Sequence, residues 1–348
     1  MTPHSDDEPA AEPGTAEPHH ARRHGSPLSE FEERAHAARL DIEERATAAR
    51  ADIEEQLRHT RAQFDATNEK IQARTGRNLL AAIGIGILLG GAFLASLIVV
   101  KWLFILFGAA LIAFTTLELA QALRQAGRTI PRIVSAIVGV AIAPIAFFFG
   151  IEALWISLVV AIAVVSLWRL AEQVILPSHR APARAVLLDL GAGALIQIYV
   201  SLMAGFYLVV TGSEGGEWWT LAAIIIVVST DVGAYAAGLS FGKHKLAPSI
   251  SPGKTWEGFA GAVAAALLAG GLLGVLMLGQ PWWVGLALGA VLVVVATMGD
   301  LTESMIKRDL GVKDISSWLP GHGGFLDRLD SILPSAIVMY AFFLVFAG

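Results

Sequence analysis

The chain has 348 residues, 55% of them hydrophobic and 16% charged, with 25 Lys and Arg against 30 Asp and Glu for a net charge of −5. A soluble domain carries about 25% charged residues, so the deficit points to the bilayer. Cysteine is absent, which excludes disulfides, thiolate nucleophiles and Cys-ligated metals. Residues 1–77 hold 16 of the acids and 11 of the bases. A polar N-terminal arm therefore precedes an apolar body whose own charges balance.

Residues 1–27 mix Asp, Glu, Pro, His and Gly and offer little to bury, so a disordered tail is expected, with no signal peptide. Across 28–77, Phe31, Ile42, Ile53 and Phe64 recur every eleventh residue, within the near copies EFEER, DIEER and DIEEQ. Eleven residues make three helical turns, so these side chains form one thin apolar stripe. The stripe predicts a cytoplasmic amphipathic helical arm that self-associates into a homo-oligomer or lies on the membrane face; a solvated helical tether is the alternative.

The body, 78–348, contains nine apolar stretches, at about 79–99, 102–123, 131–150, 152–176, 185–211, 218–240, 257–279, 282–305 and 329–347. Each approaches the ~20 residues that cross the hydrocarbon core as a helix. The expected fold is thus all-α, a polytopic integral membrane protein of about nine transmembrane helices. Basic residues gather in alternate connections: Arg74 and Arg77, Arg124 and Arg128, Arg180 and Arg184, Lys243 to Lys254, and Lys307 to Arg328. The other connections carry only Lys101. This alternation predicts a cytoplasmic N-terminus and an outward C-terminus.

Two segments carry chemistry. Ser304 to Asp330, SMIKRDLGVKDISSWLPGHGGFLDRLD, gathers Lys307, Arg308, Lys313 and Arg328 with His322, Gly321, Gly323, Gly324, Asp327 and Asp330. Cations suit a polyphosphate, and Arg offers a two-pronged fork for its oxygens. Glycines admit backbone N–H groups to the same oxygens, and carboxylates beside such a cluster make sense if a divalent cation joins them to the substrate. The plainer explanations are that cytoplasmic loops are basic anyway and that Asp327 and Asp330 cap a helix. Upstream, Asp300, Ser304 and Lys307 share one helix face, with Asp300 roughly 10 Å deeper than Lys307. An acid at that depth is a functional candidate or half of an ion pair in the bundle, and Asp231 is a second one. Thr230 to Gly258 adds Ser249, Ser251, Lys254, Thr255 and Glu257. Gly253-Lys254-Thr255 is not read as a phosphate-binding P-loop, because Pro248 stands where its first glycine belongs and the context is membrane helix.

The Ser304–Asp330 segment resembles the signature of the phosphatidate cytidylyltransferases (CDP-diacylglycerol synthases): a serine, Lys-Arg, Lys-Asp, Pro-x-His-Gly-Gly, then Asp-Arg-x-Asp. SPGKTWEG resembles that family's second motif, with Gly253 in place of a commonly polar residue. The resemblance covers roughly residues 130–348 and leaves out the arm. It implies transfer of a cytidylyl group from CTP to phosphatidic acid at the cytoplasmic face of the plasma membrane, in phospholipid biosynthesis. It also implies Mg²⁺, with room for a second cation, on Asp300, Asp327 and Asp330. Lys307, Arg308, Lys313, His322 and Arg328 become candidates for triphosphate and leaving-group contacts. Ser249, Ser251, Lys254, Thr255, Ser304, Gly323 and Gly324 become candidates for substrate contacts. Partners are then CTP, phosphatidic acid and membrane lipids, with no nucleic acid. Rival readings are a CTP-dependent transferase or kinase acting on another lipid phosphate, an ion-coupled transporter, and a scaffold built on the arm.

Overall fold

The computed structural model describes residues 79–311 and 324–347, together with 55, 58, 315, 316 and 318. The disordered tail and the eleven-residue stripe lie outside the described residues, as do Lys313, His322 and Gly323. Glu55 and Arg58 are helical and belong to a separate unit, Met1–Glu69; all that follows concerns the second unit, Lys70–Gly348.

That unit is a helical bundle. Its elements are α1 (Leu79–Leu94, running into a π-turn at Ala95–Val99), α2 (Leu103–Gln125), α3 (Arg132–Ile175), α4 (Ala183–Gly212), α5 (Gly216–Phe241), β1 (Lys245–Ala247), β2 (Ser251–Thr255), α6 (Trp256–Leu276), α7 (Trp282–Asp309) and α8 (Leu326–Phe346). Helices satisfy their own backbone groups, which hydrocarbon demands. Seven of them, α2 to α8, are long and apolar enough to cross a membrane, and the apolar helix Gly86–Val99 is shorter. Large apolar side chains stand outward, among them Phe149, Leu239 and Leu276, each more than two-thirds exposed. Such a surface suits lipid and not water. The protein is an all-α, multi-pass membrane protein.

At 44 residues, α3 is too long for a single crossing. Its partners on α4 show what it does. Ser135, Gly139 and Phe147 meet Gln197, Ser201 and Gly212, both sets rising together. Leu154, Val165 and Arg169 meet Gly205, Gly193 and Asp189, in falling order. The chain therefore reverses between Phe147 and Leu154. Gly150 sits at the break with φ 76° and ψ −159°, a conformation open to glycine and strained for other residues. Two apolar stretches of the sequence thus become two antiparallel arms of one hairpin. The second arm is fastened by a buried ion pair, Arg169 to Asp189 at 2.8 Å, and Asp189 also accepts from the Thr129 N–H at 3.1 Å.

The last four helices alternate in direction and pack backbone to backbone. Gly233 on α5 faces Gly261 on α6, and Gly270 and Gly274 on α6 face Gly285 and Gly289 on α7, with no room for a Cβ at these crossings. Small residues allow this approach in a bilayer, where dispersion rather than water drives association. The same geometry recurs between α7 and α8: a side chain at Gly299 would strike the Asp330 carbonyl. The C-terminal ends of α5 and α7 and the N-terminal ends of α6 and α8 consequently share one end of the bundle.

One feature departs from an all-helical reading. β1 and β2 form an antiparallel hairpin at that same end, Lys245 opposite Thr255 and Ala247 opposite Ser251. The segment SPGKT is therefore strand, so the membrane-helix context assumed for it was wrong. The strand passes directly into α6 without an intervening loop, so no P-loop cradle forms.

Candidate active site

A cavity of about 650 Å³ opens at this shared end. Its walls include Asp231 from α5, Ser251, Gly253, Lys254 and Thr255 from β2, Asp300 from α7, and Asp327, Arg328 and Asp330 from α8. Each wall is placed by a local rule. Thr255 is the N-cap of α6, its Oγ1 accepting from the Gly258 N–H at 3.1 Å. That cap fixes the strand-to-helix corner and with it Lys254, one residue upstream. The corner is held from outside by Glu257, whose carboxylate accepts from the Lys243 and His244 N–H groups and pairs with His244 Nδ1 at 2.6 Å. Lys254 crosses the cavity to an ion pair with Asp300.

The polar charges are interlocked. Asp231 and Asp300 lie within electrostatic reach of Asp330, and Lys254 offsets part of that repulsion. Lys254 and Arg328 do the same for Asp231. Beside them runs a second chain of charge. Lys307 pairs with Glu303 at 2.6 Å, one turn back on α7, and with Asp327 at 3.1 Å on α8. Glu303 is fully buried. Asp327 also accepts from the Gly324 N–H at 3.0 Å, so Lys307 ties α7 to the start of α8.

The residues singled out from sequence divide as follows. Asp300, Asp327, Asp330, Arg328, Ser251, Lys254 and Thr255 line the cavity. Lys307 lies behind it in the Glu303–Asp327 bridge. Ser304 donates to Asp300 at 3.4 Å, a helical turn away. Arg308 is exposed and donates to the Ile250 carbonyl at 3.3 Å, tying α7 to the β-turn. Ser249 is exposed in that turn and does not line the cavity.

Gly324 is buried against Glu118, an acid of α2 outside the residues expected from sequence. Glu118 is 1% exposed, accepts from Ser316 Oγ at 2.6 Å and from the Leu326 N–H at 3.0 Å, and occupies the space a Gly324 side chain would need. It thereby clamps both described ends of the 315–326 segment. Its signal was present: an acid inside an apolar stretch, the same mark that distinguished Asp231 and Asp300. Glu303 carried a signal too, four residues before Lys307 on one helix face.

Four carboxylates on one cavity form an all-oxygen donor set, which suits a hard divalent cation. Among the described residues no three His, Asp or Glu side chains converge on one point, and Asp300 and Asp327 are each paired with a lysine. The donor type is that of a cation site, and Asp231 lines the cavity beside the three acids expected from sequence.

The Cytidylyltransferase family matches residues 80–346. The phosphatidate cytidylyltransferase of Mycobacterium bovis is 39% identical over 274 residues, covering 77% of this chain and 89% of that one. That of Mycobacterium tuberculosis H37Rv is 39% identical over the same length, covering 83% of the relative. A more distant relative of the same name, from Brucella suis, is 35% identical over 190 residues, covering 47% of this chain and 70% of its own. A match that runs from α1 to α8 takes in every wall of the cavity, and the chain belongs to the cytidylyltransferase family.

Proposed function

We propose that the chain transfers the cytidylyl group of CTP to phosphatidate, giving CDP-diacylglycerol and pyrophosphate. The carrying observation is the cavity itself: four carboxylates, a lysine and an arginine gathered at one end of an apolar bundle. A soluble nucleotide can enter there while the acyl chains of the acceptor stay in the leaflet.

In the reaction a phosphate oxygen of phosphatidate attacks the α-phosphorus of CTP. The bond from that phosphorus to the bridging oxygen breaks, and pyrophosphate leaves with the electron pair. The nucleophile is already anionic, so no strong base is required. The protein's work is neutralisation and in-line positioning, as in other phosphoryl-type transfers. Lys254 and Arg328 supply positive charge inside the cavity, where lower dielectric strengthens it. Ser251 and the open backbone at Gly253 offer hydrogen bonds to phosphate or cytidine. Asp300, Asp330, Asp231 and Asp327 would hold a divalent cation such as Mg²⁺, which supplies charge neutralisation on the triphosphate when bound. Lys307 holds Asp327 in place through the Glu303 bridge.

The alternation of basic connections supports a site on the cytoplasmic side of the plasma membrane, where CTP is found. Release of pyrophosphate by the purified protein tests the reading. It should require CTP, phosphatidate and Mg²⁺ together; release without phosphatidate, or none with all three, would reject it.

A further inference from the structure

The first turns of α8 separate two cavities. On one side lies the polar cavity. On the other lies a cavity of about 260 Å³ between α1, α2, α4 and α8, walled by apolar side chains such as Phe104, Phe107, Ala204 and Leu333. Arg328 lines both. Thr115 also faces the apolar cavity; it is fully buried, and its Oγ1 has no hydrogen-bond partner among the described residues. A buried hydroxyl left unpaired is costly, and on a helix it would ordinarily donate to the carbonyl one turn back. Thr115 therefore offers an unpaired donor within the wall of this cavity.

The dimensions match a lipid. From Thr115 to Phe104 the α2 axis runs roughly 16 Å at ~1.5 Å per residue. Half the hydrocarbon core is about 15 Å, the depth of one leaflet and of one acyl chain. The charged residue is at the end nearest the polar cavity, and apart from Thr115 and Tyr207 the remainder of the wall is apolar.

We propose that this second cavity is an acyl-chain subsite for the lipid acceptor. It rests on the reading of phosphatidate as substrate. One acyl chain lies among α1, α2, α4 and α8, the Thr115 hydroxyl donates to the ester carbonyl at its head, and Arg328 holds the phosphate monoester at the junction with the polar cavity. The guanidinium fork suits that phosphate, and the arrangement presents its free oxygen toward the nucleotide side.

The test compares dioleoyl- and dihexanoyl-phosphatidate with CTP on the full-length protein. Ala204→Leu, which intrudes on the cavity, should raise KM for the dioleoyl substrate roughly tenfold, the scale of a methylene-sized misfit in an apolar pocket. KM for CTP and for the short-chain substrate should be unchanged. Thr115→Val, of equal size, should raise KM for both lipids and leave that for CTP alone. Equal losses on both chain lengths with Ala204→Leu, or no loss, would overturn the subsite. A variant-free measurement accompanies it: a phosphatidate carrying a diazirine at one acyl terminus is photolysed with the unaltered protein. Label on Phe104, Phe107 or Leu111 of α2 supports the subsite; label confined to outward residues such as Leu106, 61% exposed, contradicts it. The cross-link is read without turnover, so an inactive protein that still labels inside the cavity would sink the proposed reaction and leave the lipid site standing.

Discussion

Replacing Glu118 by Gln isolates the clamp on the signature segment from the chemistry of the cavity, because Glu118 does not line the polar cavity. The carboxylate uses one oxygen for Ser316 Oγ and the other for the Leu326 N–H. An amide keeps the shape and one acceptor for the Leu326 N–H, while its NH2 can only donate to Ser316 Oγ, whose own O–H then loses its acceptor. Leaving such a donor unsatisfied in a buried place costs about 1–3 kcal/mol. That penalty falls on the contacts that hold Ser316 and Leu326 to α2, and each ~1.4 kcal/mol is tenfold in their population. Turnover should therefore fall roughly ten- to a hundredfold, while the protein stays folded in detergent. A double-mutant cycle with Ser316→Ala should show strong coupling, since both changes cut the same bond. Two measurements decide it, steady-state rate and thermal unfolding. Full activity in Glu118→Gln, or purely additive effects with Ser316→Ala, would refute the clamp.

Further outcomes follow from the same contacts. Gly324→Ala should be severely impaired, because its Cβ would overlap Glu118 Oε1, and Glu118→Ala in the same chain should recover part of the folded yield. Lys307→Met leaves the buried Glu303 and Asp327 without their cation, so thermal stability should fall; adding Glu303→Gln should restore much of it but not the activity if Asp327 is left misplaced. Asp300→Asn and Asp327→Asn should each abolish turnover with the fold retained, and the double variant should be no worse, as expected of groups that act as one site; near-normal turnover in either would remove that residue. Deleting residues 1–75 should leave kcat largely intact and change native mass or membrane-surface association, and a collapse of kcat with both unaltered would make the arm catalytic.

The helices were legible because apolar runs of near-membrane length admit one structure in hydrocarbon, and the break at Gly150 fell at the boundary between two such runs. The signature acids and basic residues were legible as a group by their density in one connection. The β-hairpin was not. Its strands are three and five residues long, and SPGKT lacks apolar–polar alternation and has one β-branched residue, Thr255, at its end. The partnering of charges was only half legible. Glu303 and Lys307 are one helical turn apart and could be paired by spacing alone. Lys254 with Asp300 and Glu118 with Ser316 join distant elements, and only the packing of α2, α6, α7 and α8 creates them. Asp231 was visible as an acid within a span, but its place beside Asp300 and Asp330 depends on the glycine contacts of α5 with α6 and of α7 with α8.

In the proposed reaction the α-phosphorus of CTP passes to the lipid. Purified protein in vesicles, given phosphatidate, Mg²⁺ and CTP labelled at either the α- or the γ-phosphate, tests it directly. The α-label should move into the lipid fraction as CDP-diacylglycerol, while the γ-label should appear only in pyrophosphate. Transfer of the γ-label to lipid would mark a kinase, and no transfer of either label would leave the cavity without the reaction assigned to it.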